Sequence, residues 1–373
     1  MTRIYLFGKE CVVHNPSPGT IPFLSKVHSR FKVESVQPSP GFSPRFMNLY
    51  KEDVFLDQPL FELNEEELTG IYLRKRSISD NVNSEYKYSR LNVLHALSLS
   101  EMSHCRLCGW ECGINRFSGE KGKCGLGNQA FASPPFIHIA EESVINPAVV
   151  TNFGGCSLRC MYCIESKRWN PENQTPMDPK LFWEEFERLR IGSTPINTLE
   201  FTNPTESLPA IIGLLIQAPY SVNFPLVMNC HSYGSQAFYD FAGQITDVWL
   251  PDLRYGNDRC AKELSGVDNY MKYAKVGLDA MIQQDSKIIV RILVLPGHVS
   301  CCHEPATELL SQYKDKVWVW VSVLDQYVPE HEAHLDPNLK RRPTKEEIEA
   351  VNSMVEKYSL QNILRDSKDF WRL

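Results

Sequence analysis

An alternation of short apolar strands with amphipathic helices, which starts at Phe136, constrains the fold of this chain more than any other feature. Strands are predicted at Phe136–Ala140, Val149–Phe153, Ile196–Thr202, Pro225–Asn229, Val248–Leu253, Lys287–Leu295 and Val317–Val323. Strands that alternate with helices pair in parallel through right-handed crossovers, because each helix must pack back onto the sheet. The pattern predicts an α/β fold with six strand–helix units after Val149.

Local signals mark the helices between these strands. Asp178 is a suitable cap, Pro179 suits the first helical position, and apolar residues follow at helical spacing. Those apolar residues are Leu181, Phe182, Phe186 and Leu189. A capping box from Thr344 to Glu347 predicts a last helix that runs to about Lys357.

Polar residues concentrate where the predicted strands end. They are Thr202, Asn203, Asn229, Asp252, Arg254, Arg291 and Gln326. Because the chemistry of parallel barrels takes place at the carboxyl ends of the strands, these side chains are candidates for a common site. Cys230 and His231 share one of these ends, but the pair is expected to serve packing.

Three cysteines, Cys156, Cys160 and Cys163, follow the strand at Val149–Phe153, with three and then two residues between them. Three thiolates are one short of the four that a cubic iron–sulfur cluster normally takes. One iron would keep an open position, which distinguishes a catalytic metal site from a closed structural one. A zinc knuckle that lacks one ligand, or thiols that are simply buried, are the alternatives.

A second set of cysteines precedes the alternation. Its members, separated by two, three and eleven residues, are Cys105, Cys108, Cys112 and Cys124. Four thiolates leave no open position, so the options are structural zinc, iron, or a fully ligated auxiliary iron–sulfur cluster. Further cysteines fit no ligand spacing and are expected to be ordinary thiols, namely Cys11, Cys260, Cys301 and Cys302.

The composition is that of an ordinary globular protein, with 43% hydrophobic and 23% charged residues in a chain of 373. No apolar run approaches the roughly 20 residues that span a bilayer, and the N-terminus lacks the features of a signal peptide. A cytoplasmic location without membrane partners is therefore expected, in which the 12 cysteines stay reduced. The net charge of −6 argues against a protein that coats nucleic acid.

The segment from Asn152 to Cys163 resembles the motif of the radical S-adenosylmethionine (SAM) superfamily, in which an aromatic residue, here Tyr162, precedes the third cysteine. Cys112-Gly-Ile-Asn-Arg116 is similar to the end of a Cys-rich stretch that precedes the barrel in pyruvate formate-lyase activating enzymes. The resemblance covers roughly residues 104 to 358. It implies an incomplete parallel (β/α)6 barrel with an N-terminal Cys-rich extension.

The resemblance also implies cofactors and their ligands. A [4Fe–4S] cluster on Cys156, Cys160 and Cys163 would bind the amino and carboxylate groups of SAM at its open iron. Tyr162 would pack beside the adenine. The other expected cofactor-binding residues are Thr202, Asn203, Asn229, Asp252, Arg254, Arg291 and Gln326.

This sequence departs from the family pattern near the cofactor. Thr202 and Asn203 occupy the positions of two glycines, and arginine replaces the usual lysine at Arg254. Both arginines, Arg254 and Arg291, lie at the end of or within apolar strands, where an unpaired charge is costly. Asp252 is not expected to pair with both, so the cluster and the SAM carboxylate are their predicted anionic partners.

The implied activity is reductive cleavage of SAM, driven by a low-potential electron donor of the flavodoxin or ferredoxin type. The resulting 5′-deoxyadenosyl radical would take hydrogen from a glycyl-radical enzyme or another peptide. A small-molecule biosynthetic enzyme and an iron–sulfur electron-transfer protein are the alternatives. The predicted parts are an N-terminal extension of unclear role at 1–103, a metal-binding Cys-rich segment at 104–135 and a partial barrel with a C-terminal helix at 136–373.

Overall fold

The computed structural model describes residues 2–6, 9–13, 42–74, 84–139, 141–192, 194–284, 286–316 and 318–360, the first two ranges as backbone. The strands are β1 (Thr2–Leu6), β2 (Lys9–Val13), β3 (Asp53–Leu56), β4 (Tyr86–Ser89), β5 (Phe131–Ala132), β6 (Phe136–His138), β7 (Ala148–Asn152), β8 (Thr175–Pro176), β9 (Thr198–Thr202), β10 (Leu226–Cys230), β11 (Val248–Pro251), β12 (Lys287–Leu293) and β13 (Val319–Leu324).

The α-helices are α1 (Arg45–Lys51), α2 (Glu65–Leu73), α3 (Arg90–Ser100), α4 (Pro179–Arg190), α5 (Leu208–Ile216), α6 (Gln236–Ala242), α7 (Asp258–Ser265), α8 (Tyr270–Gln283), α9 (Glu304–Ser311) and α10 (Lys345–Lys357). A short π-helix, Val299–His303, leads directly into α9. None of the described helices combines the length and the apolar character that crossing a membrane requires.

Within the described residues, nine strands form one sheet in the order β13-β12-β11-β10-β9-β7-β6-β1-β2. The pairs from β7 to β13 are parallel, and each strand lies beside the one that precedes it in this series. Repeated crossovers of one hand produce such an order. The predicted α/β class with a mostly parallel sheet is confirmed, whereas its curvature into an incomplete barrel stays a prediction.

The strand at Phe136 does not join this parallel series. β6 pairs with β7 in antiparallel fashion and holds β1 on its other side. The reason is the short connection, in which the described residues, 139 and 141–147, form no helix. A parallel crossover needs a dozen or more residues, so this shorter connection leads to antiparallel pairing.

The strands that support the site are apolar because they are covered on both faces. Every residue of β7, β10 and β11 is buried. Strands enclosed in this way read as continuous hydrophobic runs and lack the alternation of a half-exposed strand. Polar residues therefore appear only where these strands end.

Helix α4 confirms the predicted start but corrects the predicted buried face. The Asp178 carboxylate accepts hydrogen bonds from the backbone N–H groups of Lys180 at 2.9 Å and Leu181 at 3.2 Å. Phe182, Phe186 and Leu189 are buried with Trp183, whereas Leu181 is 59% exposed. Trp183 takes the core position that the sequence pattern assigns to Leu181, and its indole N–H donates to Leu214 O at 3.0 Å.

The segment before the Cys-rich region packs on the outside of the sheet's helices. α3 lies against α5. The backbone N–H of Arg45 donates to Asp247 Oδ1 at 3.1 Å, and its guanidinium donates to Gln284 O at 2.9 Å. These bonds join residues about 200 positions apart, so this part of the extension is docked on the sheet domain. The division into three parts stays a prediction.

Candidate functional site

A cavity of about 270 Å³ lies at the carboxyl ends of the parallel strands. This is close to the lower end of the roughly 300–1,000 Å³ that small-molecule sites occupy. All site residues predicted outside the Cys-rich segment line it, namely Cys156, Cys160, Tyr162, Cys163, Thr202, Asn203, Asn229, Asp252, Arg254, Arg291 and Gln326. The structure thus brings together residues that are up to 170 positions apart in the chain.

The loop that carries Cys156, Cys160 and Cys163 is held by its backbone. The backbone N–H of Cys156 donates to Cys124 O at 3.2 Å. On the other side, the N–H of Arg159 donates to Ser265 O at 3.3 Å, and the N–H of Met161 donates to Leu264 O at 2.9 Å. Ser265 also donates its hydroxyl to Cys160 Sγ at 3.0 Å. The loop therefore rests between the Cys-rich segment and the end of α7.

Gly155 is required where this loop turns toward the Cys-rich segment. Its φ of +78° lies in the left-handed region, and a Cβ there would come within 2.9 Å of Cys124 O and 2.7 Å of Leu126 Cγ. A side chain at this position would be strained by its φ and would clash with the neighbouring backbone. Close contact between the two cysteine-bearing segments depends on this glycine.

Asp252 pairs with both arginines of the cavity, which corrects the sequence-based expectation. Its Oδ2 lies 2.6 Å from Arg254 Nη2, and its Oδ1 lies 2.7 Å from Arg291 Nε. The two carboxylate oxygens point to different partners, so one side chain satisfies two cations. Burial alone would raise the pKa of Asp252, but Arg291 and Arg254 outweigh it and hold the pKa below its ordinary value.

Each of the three guanidinium nitrogens of Arg291 donates to a protein group. Nη1 lies 3.3 Å from Glu141, and Nη2 donates to Asn229 Oδ1 at 2.6 Å. Asn229 in turn donates to Glu200 at 2.8 Å, and Gln326 donates to Glu141. Arg291 is therefore the centre of a polar network in the cavity floor, and a ligand is not needed to balance its charge.

Arg254 and Asn203 differ from Arg291 because each keeps an unused polar atom. Among the described residues, the buried Arg254 Nε and Asn203 Oδ1 have no hydrogen-bond partner. Asn203 donates its amide to Gly155 O at 2.7 Å and has a φ of +58°. Asparagine tolerates this conformation better than most residues, which explains how it can replace glycine here. Both side chains line the cavity, and these two atoms are buried within its wall.

The second cysteine set lies beside the first, behind the cavity wall. Cys105, Cys108 and Cys124 are buried, and Cys112 is exposed. The buried Arg116 places Nη2 at 3.7 Å from Cys124 Sγ. Burial raises the pKa of the Cys124 thiol to about 11, and Arg116 offsets only part of that rise.

The sulfur spacing in both sets is wider than a single zinc ion needs. Thiolates about 2.3 Å from one zinc lie roughly 3.8 Å apart. Among the described residues, neither cysteine set has all of its sulfur atoms within 4.8 Å of one another.

Sequence reasoning missed a buried hydrogen-bonded pair, Glu206 and His231, that lies between the two sets. Glu206 Oε1 accepts from Ser157 N at 2.6 Å and lies 3.0 Å from His231 Nε2. Burial alone would raise the pKa of Glu206, but His231 and Ser157 outweigh it and lower the pKa. Burial, and after it the Glu206 charge, raises the pKa of Cys108 and of Cys156, so Glu206 is within electrostatic reach of both sets.

Comparisons with known proteins leave the family open. No family model matches the chain. It is 29% identical over 316 residues to the uncharacterized protein MJ0674 of Methanocaldococcus jannaschii, a match that covers 81% of this chain and 90% of that protein. It is also similar to a structure of TYW1 with a bound lysine–pyruvate adduct, at 12% identity and a TM-score of 0.37, over 56% of this chain and 73% of the other. A likeness this distant carries no argument about activity.

The double ion pair predicts a large effect of Asp252→Asn. Neutralising Asp252 leaves two buried cations short of a counter-charge, so the free energy of unfolding should fall by about 3–5 kcal/mol at pH 7. The pKa of Asp252 is lowered in the folded state, so its contribution is present above the ordinary aspartate pKa of about 3.9 and is lost as the pH falls below it. Anaerobic urea titrations at several pH values measure both effects.

Asp268→Asn is the matched control, because Asp268 pairs with Lys262 at 2.7 Å on an exposed surface. An exposed pair of this kind contributes about 0–1 kcal/mol. Equal losses in the two variants, or a loss in Asp252→Asn that persists unchanged at low pH, would contradict the assignment.

Proposed function

We propose that the protein is a radical SAM enzyme. One observation carries the proposal: the cysteines at spacings of three and two line the same cavity as the polar strand-end residues. An iron–sulfur electron-transfer protein needs no ligand cavity beside its cluster, and a zinc scaffold needs a tighter set of sulfurs. The cavity and the sulfur spacing therefore favour the enzyme over both rivals.

The residues present fit the cofactors that this function requires. Cys156, Cys160 and Cys163 would supply three thiolates to a [4Fe–4S] cluster. Arg254 and Asn203 line the same cavity, and their side chains would supply a donor for a carboxylate and an acceptor for an amino group. The bound cofactors would supply a 5′-deoxyadenosyl radical that removes hydrogen from a substrate.

The chain itself orients the ligand and excludes water. Tyr162 is 3% exposed and donates its hydroxyl to Tyr255 at 3.0 Å, so the ring presents a fixed apolar face to the cavity. Asp252 positions Arg254 through their ion pair. Arg291 serves mainly to hold Asp252 and Asn229 in place, since each of its three nitrogens already donates to a protein group.

For the Cys-rich segment we propose an auxiliary iron–sulfur cluster on Cys105, Cys108, Cys112 and Cys124. The wide sulfur spacing favours it over zinc. Its place beside the first set suits a structural or electron-relaying role. The electron source is proposed to be a flavodoxin or ferredoxin type of protein.

The proposed substrate is a glycyl-radical enzyme or another peptide. This choice rests on the sequence resemblance to activating enzymes. A small-molecule substrate is the second candidate, and the modest size of the cavity is compatible with it. Assays with peptides that end at or contain an accessible glycine separate the two classes.

The Cys160→Ala variant tests the proposed activity. Loss of one thiolate should prevent correct cluster binding, so 5′-deoxyadenosine formation from SAM under strong reductant should fall to background. Cys230→Ala is the matched control, since it removes a buried thiol of the same cavity wall outside the motif. Product formation by Cys160→Ala at the wild-type rate would exclude the mechanism.

Cofactor recognition is tested by Arg254→Met. Removal of a charge-assisted hydrogen bond should weaken SAM binding by about 1.5–3 kcal/mol, or roughly 10- to 150-fold in Kd. The iron content should not change, because the thiolates are untouched. Arg190→Met, on the outer surface of α4, should bind SAM like the wild type. Unchanged affinity in Arg254→Met would mean that this arginine only pairs with Asp252.

A double variant, Cys105→Ala/Cys108→Ala, tests the auxiliary centre. Iron per chain should fall by the content of one cluster, and the Mössbauer spectrum should lose one component. The component assigned to the Cys156, Cys160 and Cys163 cluster should remain. Identical iron content and spectra in variant and wild type would show that no centre exists there.

A further inference from the structure

Four metal-ligating side chains meet outside the cavity, where the sequence predicted ordinary thiols. They are Cys260 near the start of α7, His298 after β12, and Cys301 and Cys302 in the π-helix. Their ligand atoms all lie within 4.8 Å of one another. Cys260 and Cys302 are each 1% exposed and His298 is 8% exposed, so the group is largely shielded from water.

The distances between these ligand atoms match a tetrahedral zinc site. Cys260 Sγ lies 3.8 Å from Cys301 Sγ and 3.8 Å from His298 Nδ1, and Cys301 Sγ lies 3.3 Å from His298 Nδ1. With Zn–S of about 2.3 Å and Zn–N of about 2.0–2.1 Å, a tetrahedron has S···S edges of roughly 3.8 Å and S···N edges of roughly 3.6 Å.

The surroundings supply the hydrogen bonds that thiolate ligands need. The Asn257 amide nitrogen lies 3.3 Å from Cys260 Sγ and 3.7 Å from Cys302 Sγ. The Asn257 carbonyl oxygen accepts from the backbone N–H of Cys260 at 2.8 Å and caps α7. The same amide nitrogen donates to Cys301 O, so Asn257 contacts all three cysteines and fixes the helix that carries one of them, as outer-shell groups of metal sites do.

Close packing keeps the two ligand-bearing segments in register. A Cβ on Gly256 would lie 2.1 Å from Cys302 O and 2.7 Å from Ala306 N, so only glycine allows this approach. The π-helix is a rare conformation that is frequently found at functional sites. Here it places two adjacent cysteines, Cys301 and Cys302, in one group.

We propose that Cys260, His298, Cys301 and Cys302 bind a structural zinc ion. Four protein ligands leave no open position, so the site is closed and takes no part in chemistry. The three thiolates and one imidazole suit zinc better than magnesium or calcium, which prefer oxygen. This inference is independent of the proposed activity.

The zinc would stabilise the wall that supports the cysteine loop. It joins the N-terminal part of α7 to the segment after β12. The C-terminal part of α7 supplies Leu264 O and Ser265 O to the backbone of the cysteine loop. A metal at one end of α7 therefore fixes the position of the acceptors at its other end.

Zinc analysis of matched variants tests the proposal. Full-length protein without a polyhistidine tag is purified anaerobically, and zinc and iron per chain are measured. His298→Gln and Cys302→Ser should each lose one zinc per chain with iron unchanged. His303→Gln should keep the zinc. The His303 side chain lies in the same π-helix but accepts a hydrogen bond from Leu295 N, at 2.9 Å, and a glutamine side chain can accept this bond as well. Equal zinc content in all four proteins would overturn the proposal.

A measurement on the wild type covers the case in which a variant fails to fold. A zinc chelator should speed the alkylation of Cys260, Cys301 and Cys302, but not that of Cys230, a buried cysteine outside the group. Alkylation that does not respond to the chelator would contradict zinc binding. A disulfide between Cys260 and Cys301 in the anaerobically purified protein would likewise overturn it and identify a redox pair instead.

Discussion

The site depends on backbone hydrogen bonds that fix the loop between Cys156 and Cys163. On one side, Cys156 N donates to Cys124 O, and on the other, Arg159 N and Met161 N donate to the end of α7. The loop also buries Leu158 and Tyr162 in the main core. Its position is therefore set by this packing together with the two segments that flank it. The Cys-rich segment and α7 are structural parts of the site for this reason.

Charge inside the cavity is balanced by the protein before any ligand is considered. Asp252 lies within ion-pair distance of both Arg254 and Arg291, and Glu141 lies within that distance of Arg291. Neither arginine therefore depends on a bound anion. In the proposed function, Arg254 and Asn203 would recognise the ligand from the cavity wall. Pairing of this kind holds the side chains in place, which reduces the entropy that ligand binding must offset.

Those features that depend on local patterns or on where strands end could be predicted from the sequence. Buried strands, the Asp178 cap and the cavity residues follow from periodicity, capping and the rule that parallel strands end at a common edge. Contacts between distant segments leave no such signal. Glu206 pairs with His231 across 25 residues, and Cys260 meets Cys301 across 41, through crossovers that no spacing rule describes. The double pairing of Asp252 was missed because strand register, which sequence does not give, places Arg291 beside it.

The central claim is that SAM binds directly to the cluster on Cys156, Cys160 and Cys163. Electron paramagnetic resonance of the anaerobically reduced protein, recorded with and without SAM, tests it most directly. If SAM ligates an open iron, its addition should change the g values of one reduced-cluster signal and leave a second signal unchanged. Spectra that are identical with and without saturating SAM would contradict the claim.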